Sequence, residues 1–322
     1  MNTVYFLIQQ TMYFSIPLLI VALGGMFAER SGVINIALEG IMLLGAFTGT
    51  LFISMVQEGG GALSGQMLLI SAIFVSMAAG VLVALPHAYA SIHMKANQII
   101  SGTAINMFAP AIAVYIARIV QTKHVQQVRF ANDFRIEKVP LLGNIPVIGP
   151  MLFQNTYITT YLGFAILALA WVVMYKTPFG LRLRSCGEHP QAADSVGVNV
   201  YKMRYAGVMI SGALAGIGGL VFVIPTATEF NATVAGYGFL ALAVLIFGQW
   251  KPGRILLAAL FFGLMQTIAA TYSGIPFLAA ISLPSEIYKM VPNIATLIVL
   301  AFTSKKSMAP RAEGVPYDQG SR

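Results

Sequence analysis

Four polar residues set between two long apolar runs are the best placed in this chain to do chemistry. They are Glu29, Arg30, Asn35 and Glu39, within Phe27–Phe47. A charge in hydrocarbon costs about 3 kcal/mol on insertion scales unless it meets water or a partner. The break is therefore a loop at a membrane face or part of a protein-lined pathway. Further polar residues fall inside apolar runs: Gln98, Asn106, Gln266 and Asn293. Intramembrane polar groups face a bundle interior, and singly each of these reads as an interhelical hydrogen bond. As a set, Asn35, Glu39, Gln98, Asn106 and Gln266 would suit a passage for an uncharged, hydrogen-bonding solute. Catalysis has no comparable footing. The chain has no GxxxxGK[ST] loop to cradle ATP phosphates, no HExxH helix and no GxSxG elbow. His87, His93, His124 and His189 are scattered, with no Cys or carboxylate at ligand spacing. The chain is expected to be no enzyme and to hold no cofactor or metal of its own.

A second informative stretch runs from Thr177 to Arg204. Pro190 suits the first turn of a helix, Gln191 to Val196 are good-to-neutral helix formers, and Gly197 suits a left-handed stop. These predict a helix of about two turns, too short to be stable alone. It must dock, and the residues leave open whether it packs on its own bundle or against a cytoplasmic partner.

The elements that position these residues must lie in a membrane. Of 322 residues, 57% are hydrophobic and 9% charged, where soluble domains carry about 25% charged residues. No soluble fold hides that much apolar surface. A net charge of +8 sits in short loops between apolar runs, which is the positive-inside pattern and not a nucleic-acid footprint. The single cysteine, Cys186, rules out an internal disulfide framework and a multi-cysteine metal site. The first apolar run lacks a preceding Lys or Arg and a small-residue cleavage site, so it reads as a retained span.

A helical span needs roughly 20 apolar residues. Candidate runs are 11–28, 36–56, 67–90, 98–120, 156–175, 204–224, 236–249, 254–273 and 286–303. The run 236–249 is short and bracketed by Gly236, Gly238 and Gly248, as a broken span would be. The fold class is an all-α integral membrane bundle of eight to ten transmembrane helices, with room for broken or re-entrant ones, and a short cytoplasmic helix. Residues 1–303 form one transmembrane domain. Arg30, Lys95, Lys176, Arg182, Arg184, Lys202, Arg204, Lys251, Arg254, Lys305, Lys306 and Arg311 fall on one side by alternation, which should be the cytoplasm. That loop spans about 176–204. The loop at about 121–155, with Lys123, Arg129, Arg135 and Lys138, falls outside; long loops obey the charge rule poorly. Residues 304–322 read as a flexible cytoplasmic tail. The GxxxG pairs Gly212/Gly216 and Gly45/Gly49 read as helix-packing devices.

These residues carry a resemblance. The segment Glu29–Gly40 (ERSGVINIALEG), the stretch Gly187–Gly197 with its Ala192–Ala193 pair, and Ser211–Gly219 (SGALAGIGG) resemble permease subunits of bacterial ATP-binding-cassette importers. The group is the one containing simple-sugar, branched-chain amino-acid and nucleoside permeases, and the first motif is most similar to the nucleoside permeases. The resemblance covers about Gly24 to Thr303. It implies a permease subunit that forms the solute pathway in the bacterial cytoplasmic membrane, with a cytoplasmic C-terminus and a nucleoside as the favoured solute. Simple sugars and branched-chain amino acids stay open, and an ion-coupled secondary transporter is the alternative from another class. The implied partners are an ATPase subunit that carries ATP and Mg, a second and different permease subunit, and an extracytoplasmic solute-binding protein or lipoprotein. The helix at Pro190–Val196 then matches a coupling helix contacting the ATPase through Glu188, His189, Pro190, Gln191, Ala192, Ala193, Val196 and Gly197. Glu188-His189 departs from the group's commoner pattern, an Asn before the Pro or Ala.

Overall fold

A computed structural model describes residues 2–60, 63–121, 126–274, 284–303 and 307–319. Lys123, His124, Lys305 and Lys306, used above in the charge and motif readings, lie outside the described residues.

The apolar runs fold as helices in chain order. They are α1 (Asn2–Arg30), α2 (Leu38–Glu58), α3 (Gly65–Ile92), α4 (Gln98–Val120), α5 (Ile158–Lys176), α6 (Pro178–Glu188), α7 (Pro190–Ser195), α8 (Val200–Thr226), α9 (Tyr237–Phe247), α10 (Pro252–Thr271) and α11 (Ser285–Thr303). Seven of these are long and apolar enough to cross a membrane: α1 to α5 apart from the breaks between them, α8, and α10 extended to Gly274. The protein is an all-α integral membrane bundle. At 1.5 Å per residue, the 11 residues of α9 cover about 16 Å, half of a roughly 30 Å hydrocarbon core. It is a half-helix, as its flanking glycines suggested.

Burial sorts the helices. The spanning stretch of α1 is 89% buried and that of α4 only 17%, so α1 lies at the centre and α4 on the rim. Met107, Phe108 and Tyr115 on α4 stand exposed, as side chains do that meet lipid or another subunit. The second central helix is α8, which packs on α1, α2 and α3. Its small residues make this possible. A methyl group on Gly45 would overlap the backbone of Gly216, and one on Gly212 would overlap Gly80 of α3. Both GxxxG pairs therefore serve close helix contact.

Helix starts are set by side chains. Asn97 Oδ1 accepts from the Ile99 and Ile100 amides (2.9 and 3.2 Å) to open α4. Thr177 Oγ1 accepts from Gly180 (3.2 Å) ahead of Pro178, and Asn199 Oδ1 from Lys202 (2.9 Å) ahead of α8. Such caps satisfy amides that a helix leaves unpaired.

Three expectations change. The loop 176–204 holds two helices, since α6 precedes α7. The described part of the outer loop, 126–155, carries regular structure. Short antiparallel ladders join β1 (Val128–Arg129) to β4 (Glu229–Phe230), and β2 (Ile136–Lys138) to β3 (Gln154–Thr156). Gln57 makes two 2.9 Å bonds to the Ala131 backbone, and Gln9 Nε2 donates to Pro150 O (2.6 Å). The expected loose tail is folded back over 307–319, where Tyr317 is 3% exposed. Its backbone groups find fixed partners on the bundle, which composition alone does not register.

Candidate functional site

The break between α1 and α2 is a strand of unwound backbone inside the bundle. After Arg30 the chain closes α1 with bonds from Gly32 N to Glu29 O (2.9 Å) and from Val33 N to Ala28 O (3.2 Å). Gly32 takes a φ of +96° there, a left-handed geometry that favours glycine. The chain then runs non-helical through residues 33–35 and turns at Ile36 and Ala37 into α2, with Val33, Asn35 and Ala37 fully buried. Non-helical backbone at membrane depth must find its hydrogen bonds in protein. Here side chains from α3 and α4 supply them, and α8 holds the Asn35 side chain. Gln98 Oε1 accepts from Ile34 N (2.7 Å). Asn106 Nδ2 donates to Ile36 O (2.8 Å), and its Oδ1 accepts from Gly40 N (2.8 Å). Asn35 Nδ2 donates to Ser211 Oγ (2.9 Å) near the middle of α8. His87 Nε2 donates to Ile34 O (2.9 Å), and its Nδ1 lies 2.6 Å from Ser101 Oγ. A carbonyl only accepts, so Nε2 carries the proton and Nδ1 is left to accept from the serine.

Glu39 extends this network to α9. Its carboxylate accepts from Gly236 N (2.9 Å) and Gly238 N (2.6 Å). An anion at a helix N-terminus meets unpaired amides and the positive end of the dipole. The starts of α2 and α9 thus meet inside the bundle, joined by one side chain. Contact is close enough that a methyl on Gly238 would overlap the Glu39 backbone.

Four of the five interior candidates, Asn35, Glu39, Gln98 and Asn106, therefore gather around one break. Gln266 is half-buried on α10 and makes no side-chain hydrogen bond to them among the described residues. Each of the four devotes bonds to backbone or to Ser211, so they hold the break in shape. Asn35 Oδ1 and Gln98 Nε2 are buried without a partner among the described residues. His87, Ser211, Gly236 and Gly238 complete the site; the sequence marked Gly236 and Gly238 only as brackets of a broken span, Ser211 only as the start of a Gly-rich motif, and gave His87 no role. A histidine or serine in an apolar run carries no local sign of the carbonyl or amide it will meet.

At the end of the bundle where α1 finishes, the basic residues collect around α6 and α7. Helix α7 starts at Pro190 behind His189, whose Nδ1 accepts weakly from Ala192 N (3.4 Å). It stops before Gly197, at φ +85°. Pro190 and Ala193 are buried, while Gln191, Ala192, Ser195 and Val196 are exposed, Val196 at 78%. Glu188 is exposed beside it and reaches Arg30 across 3.5 Å. Such a pair contributes under about 1 kcal/mol, but it links the base of α7 to the entry of the break. Arg30 Nη2 also donates to Trp250 O (3.3 Å), and Trp250 Nε1 donates to the buried Glu29 carboxyl. Glu313 hydrogen-bonds to Glu29 in turn, and burial raises the Glu313 carboxyl above its ordinary value. The α1 end, the α9–α10 turn, α6 and the C-terminal segment are thereby one connected body.

Comparison with known proteins fits this architecture. Residues 7–300 match the family model described as a branched-chain amino acid transport system permease component. The chain is 44% identical over 317 residues to the guanosine ABC transporter permease protein NupQ of Bacillus subtilis, covering 98% of this chain and 97% of that one. It is 40% identical over 317 residues to the nucleoside ABC transporter permease protein NupC of Lactococcus lactis, covering 98% of each. A second Bacillus subtilis protein, the guanosine ABC transporter permease protein NupP, is 26% identical over 290 residues, 88% of this chain and 78% of its own length.

Proposed function

Since the chain belongs to the branched-chain amino acid transport system permease family, and is thus the permease component of an ATP-binding-cassette importer, we propose that its solute is a nucleoside. One observation carries the solute: 44% identity, over nearly the whole of both chains, to a guanosine permease. The buried amides and carboxyls around the break are groups suited to an uncharged, hydrogen-bonding molecule.

Energy comes from a separate ATPase subunit that holds ATP and Mg. Its docking element on this chain is α7 with Glu188, His189 and Gly197, which supports that role by presenting an exposed face of Gln191, Ala192 and Val196. The end of the bundle bearing α6 and α7 faces the cytoplasm of a bacterial cell, and the C-terminal segment lies on that side. Movement at α7 passes through α6, then Glu188 and Arg30, to the break. There Glu39 ties α2 to α9, and two discrete packings of this helix pair would open the pathway to one side or the other. A second, different permease completes the pathway. Bacillus subtilis has two guanosine permease proteins similar to this chain, at 44% and 26% identity, which supports an unlike pair. An extracytoplasmic binding protein delivers the solute.

The test is uptake of labelled guanosine in cells lacking the gene, with and without a plasmid copy. Uptake restored by the plasmid and competed by unlabelled nucleosides is expected. Unchanged guanosine uptake in the deletion strain would remove nucleosides as the solute.

A further inference from the structure

The segment 307–319 reaches almost every turn at its end of the bundle. Met308 N donates to Gln249 Oε1 in the α9–α10 turn (2.9 Å). Ala312 N donates to Gly187 O of α6 (2.8 Å), and Gly314 N to Gly32 O after α1 (3.1 Å). Val315 O accepts from Arg204 Nη1 of α8 (3.0 Å). Asp318 pairs with Lys95 in the α3–α4 turn (2.7 Å). Between these ties Tyr317 is buried against Cys186, Ala193 and Val200, with its ring edge-on to Tyr201 at 5.4 Å.

Tyr317 therefore lies beneath α7, on the side opposite its exposed face. A six-residue helix has no stability of its own, so its position depends on what it packs against. Asp318 and Gln319, both exposed, then rise beside α7. Together with His189, Gln191 and Asp194 they border a groove of about 330 Å³. Its rim is made of carboxylates, amides and an imidazole, chemistry that fits a polar protein ridge and not acyl chains.

We infer that the ATPase docks on a composite surface, with α7 as one wall and Tyr317–Gln319 as the other. This rests on the reading of α7 as the docking element. The partner is the same ATPase because Gln191, Ala192 and Ser195 belong both to the groove and to the exposed face of α7. Tyr317 acts as a positioning residue, holding Ala193 and so the angle of the helix.

The experiment uses the complete importer in inside-out vesicles. Cys186, the single cysteine, is buried with its thiol pushed up to about 11; Cys186→Ser gives a clean background. Gln319→Cys and, separately, Ala192→Cys are then treated with a short cysteine-to-amine crosslinker. Both are expected to give a crosslinked product containing the ATPase subunit. A product from Ala192→Cys alone would overturn the composite surface and leave α7 docking intact. No product from either would overturn the docking of α7 and this inference with it.

Discussion

Glu39 shows how one side chain can couple two helices. Its carboxylate satisfies the first amides of α9 from the first turn of α2. Leaving a buried amide unpaired costs about 1–3 kcal/mol. Glu39→Ala is therefore expected to lower uptake at least tenfold and to reduce the melting temperature of the purified complex. Glu39→Gln keeps an acceptor and should fall in between; wild-type uptake by the Ala variant at equal membrane level would show the cap to be dispensable. Asn106→Leu frees Ile36 O and Gly40 N together and should destabilise by a similar amount, read by thermal denaturation in detergent. Glu313 carries a pH dependence. Burial raises its carboxyl in the folded state, so folding favours the protonated form. Its contribution is complete below the unfolded value of about 4.3 and is lost as pH rises through the folded value. The facing groups are Glu29, with which it shares a hydrogen bond, and Arg30. Limited proteolysis of residues 307–319 should quicken as pH rises above the ordinary carboxyl range, and Glu313→Gln should flatten that profile.

At the scale of elements, hydropathy made the long helices legible to within a few residues, because a bilayer demands apolar length, except that α1 starts at Asn2 and not near residue 11. It also marked α9 as broken, from glycines at both ends of a short run. Helix α6 escaped because Pro178–Glu188 is too charged and too short to stand out from a loop. Its stability comes from the Thr177 cap and from packing of Leu183 and Cys186, which are tertiary facts. The break at 31–37 was visible as polarity, while its partners were not: Gln98 and Gly236 are far from Ile34 and Glu39 in sequence, and apolar runs with a lone polar residue look alike. Residues 307–319 misled for the opposite reason. Their composition reads as disorder, yet one aromatic ring and several backbone bonds hold them. Element packing gives a direct prediction. Gly216→Leu would drive a side chain into Ser76 and Gly80 of α3, and should abolish membrane accumulation of the folded permease, measured by fluorescence-detected gel filtration.

For the molecule as a whole, the two ends divide the work. One end gathers the basic residues, α6, α7 and the folded-back segment; the other carries the two small β ladders and the built loop of 126–156. Between them lie the break and the half-helix α9, where the starts of α2 and α9 meet at one carboxylate. This is the arrangement expected of a protein that must change which side its interior faces without exposing backbone to lipid. Labelling intact cells tests the orientation. A cysteine at Lys138 in the Cys186→Ser background should react with an impermeant maleimide, and one at Ala192 should react only after the membrane is breached.

The wiring of the break also sets a schedule for biosynthesis. Ile34, Ile36 and Gly40 depend on partners 64, 70 and 66 residues downstream, and Glu39 on amides 197 residues downstream. At synthesis rates of roughly 5–20 residues per second, α2 waits about 10–40 s for the start of α9 to be made. Until then its carboxylate and the non-helical backbone before it must stay hydrated or be sheltered by the insertion machinery. The first two helices can enter the membrane early, but their junction sets only when the ninth arrives, so maturation of this permease runs backward from its later helices to its first loop.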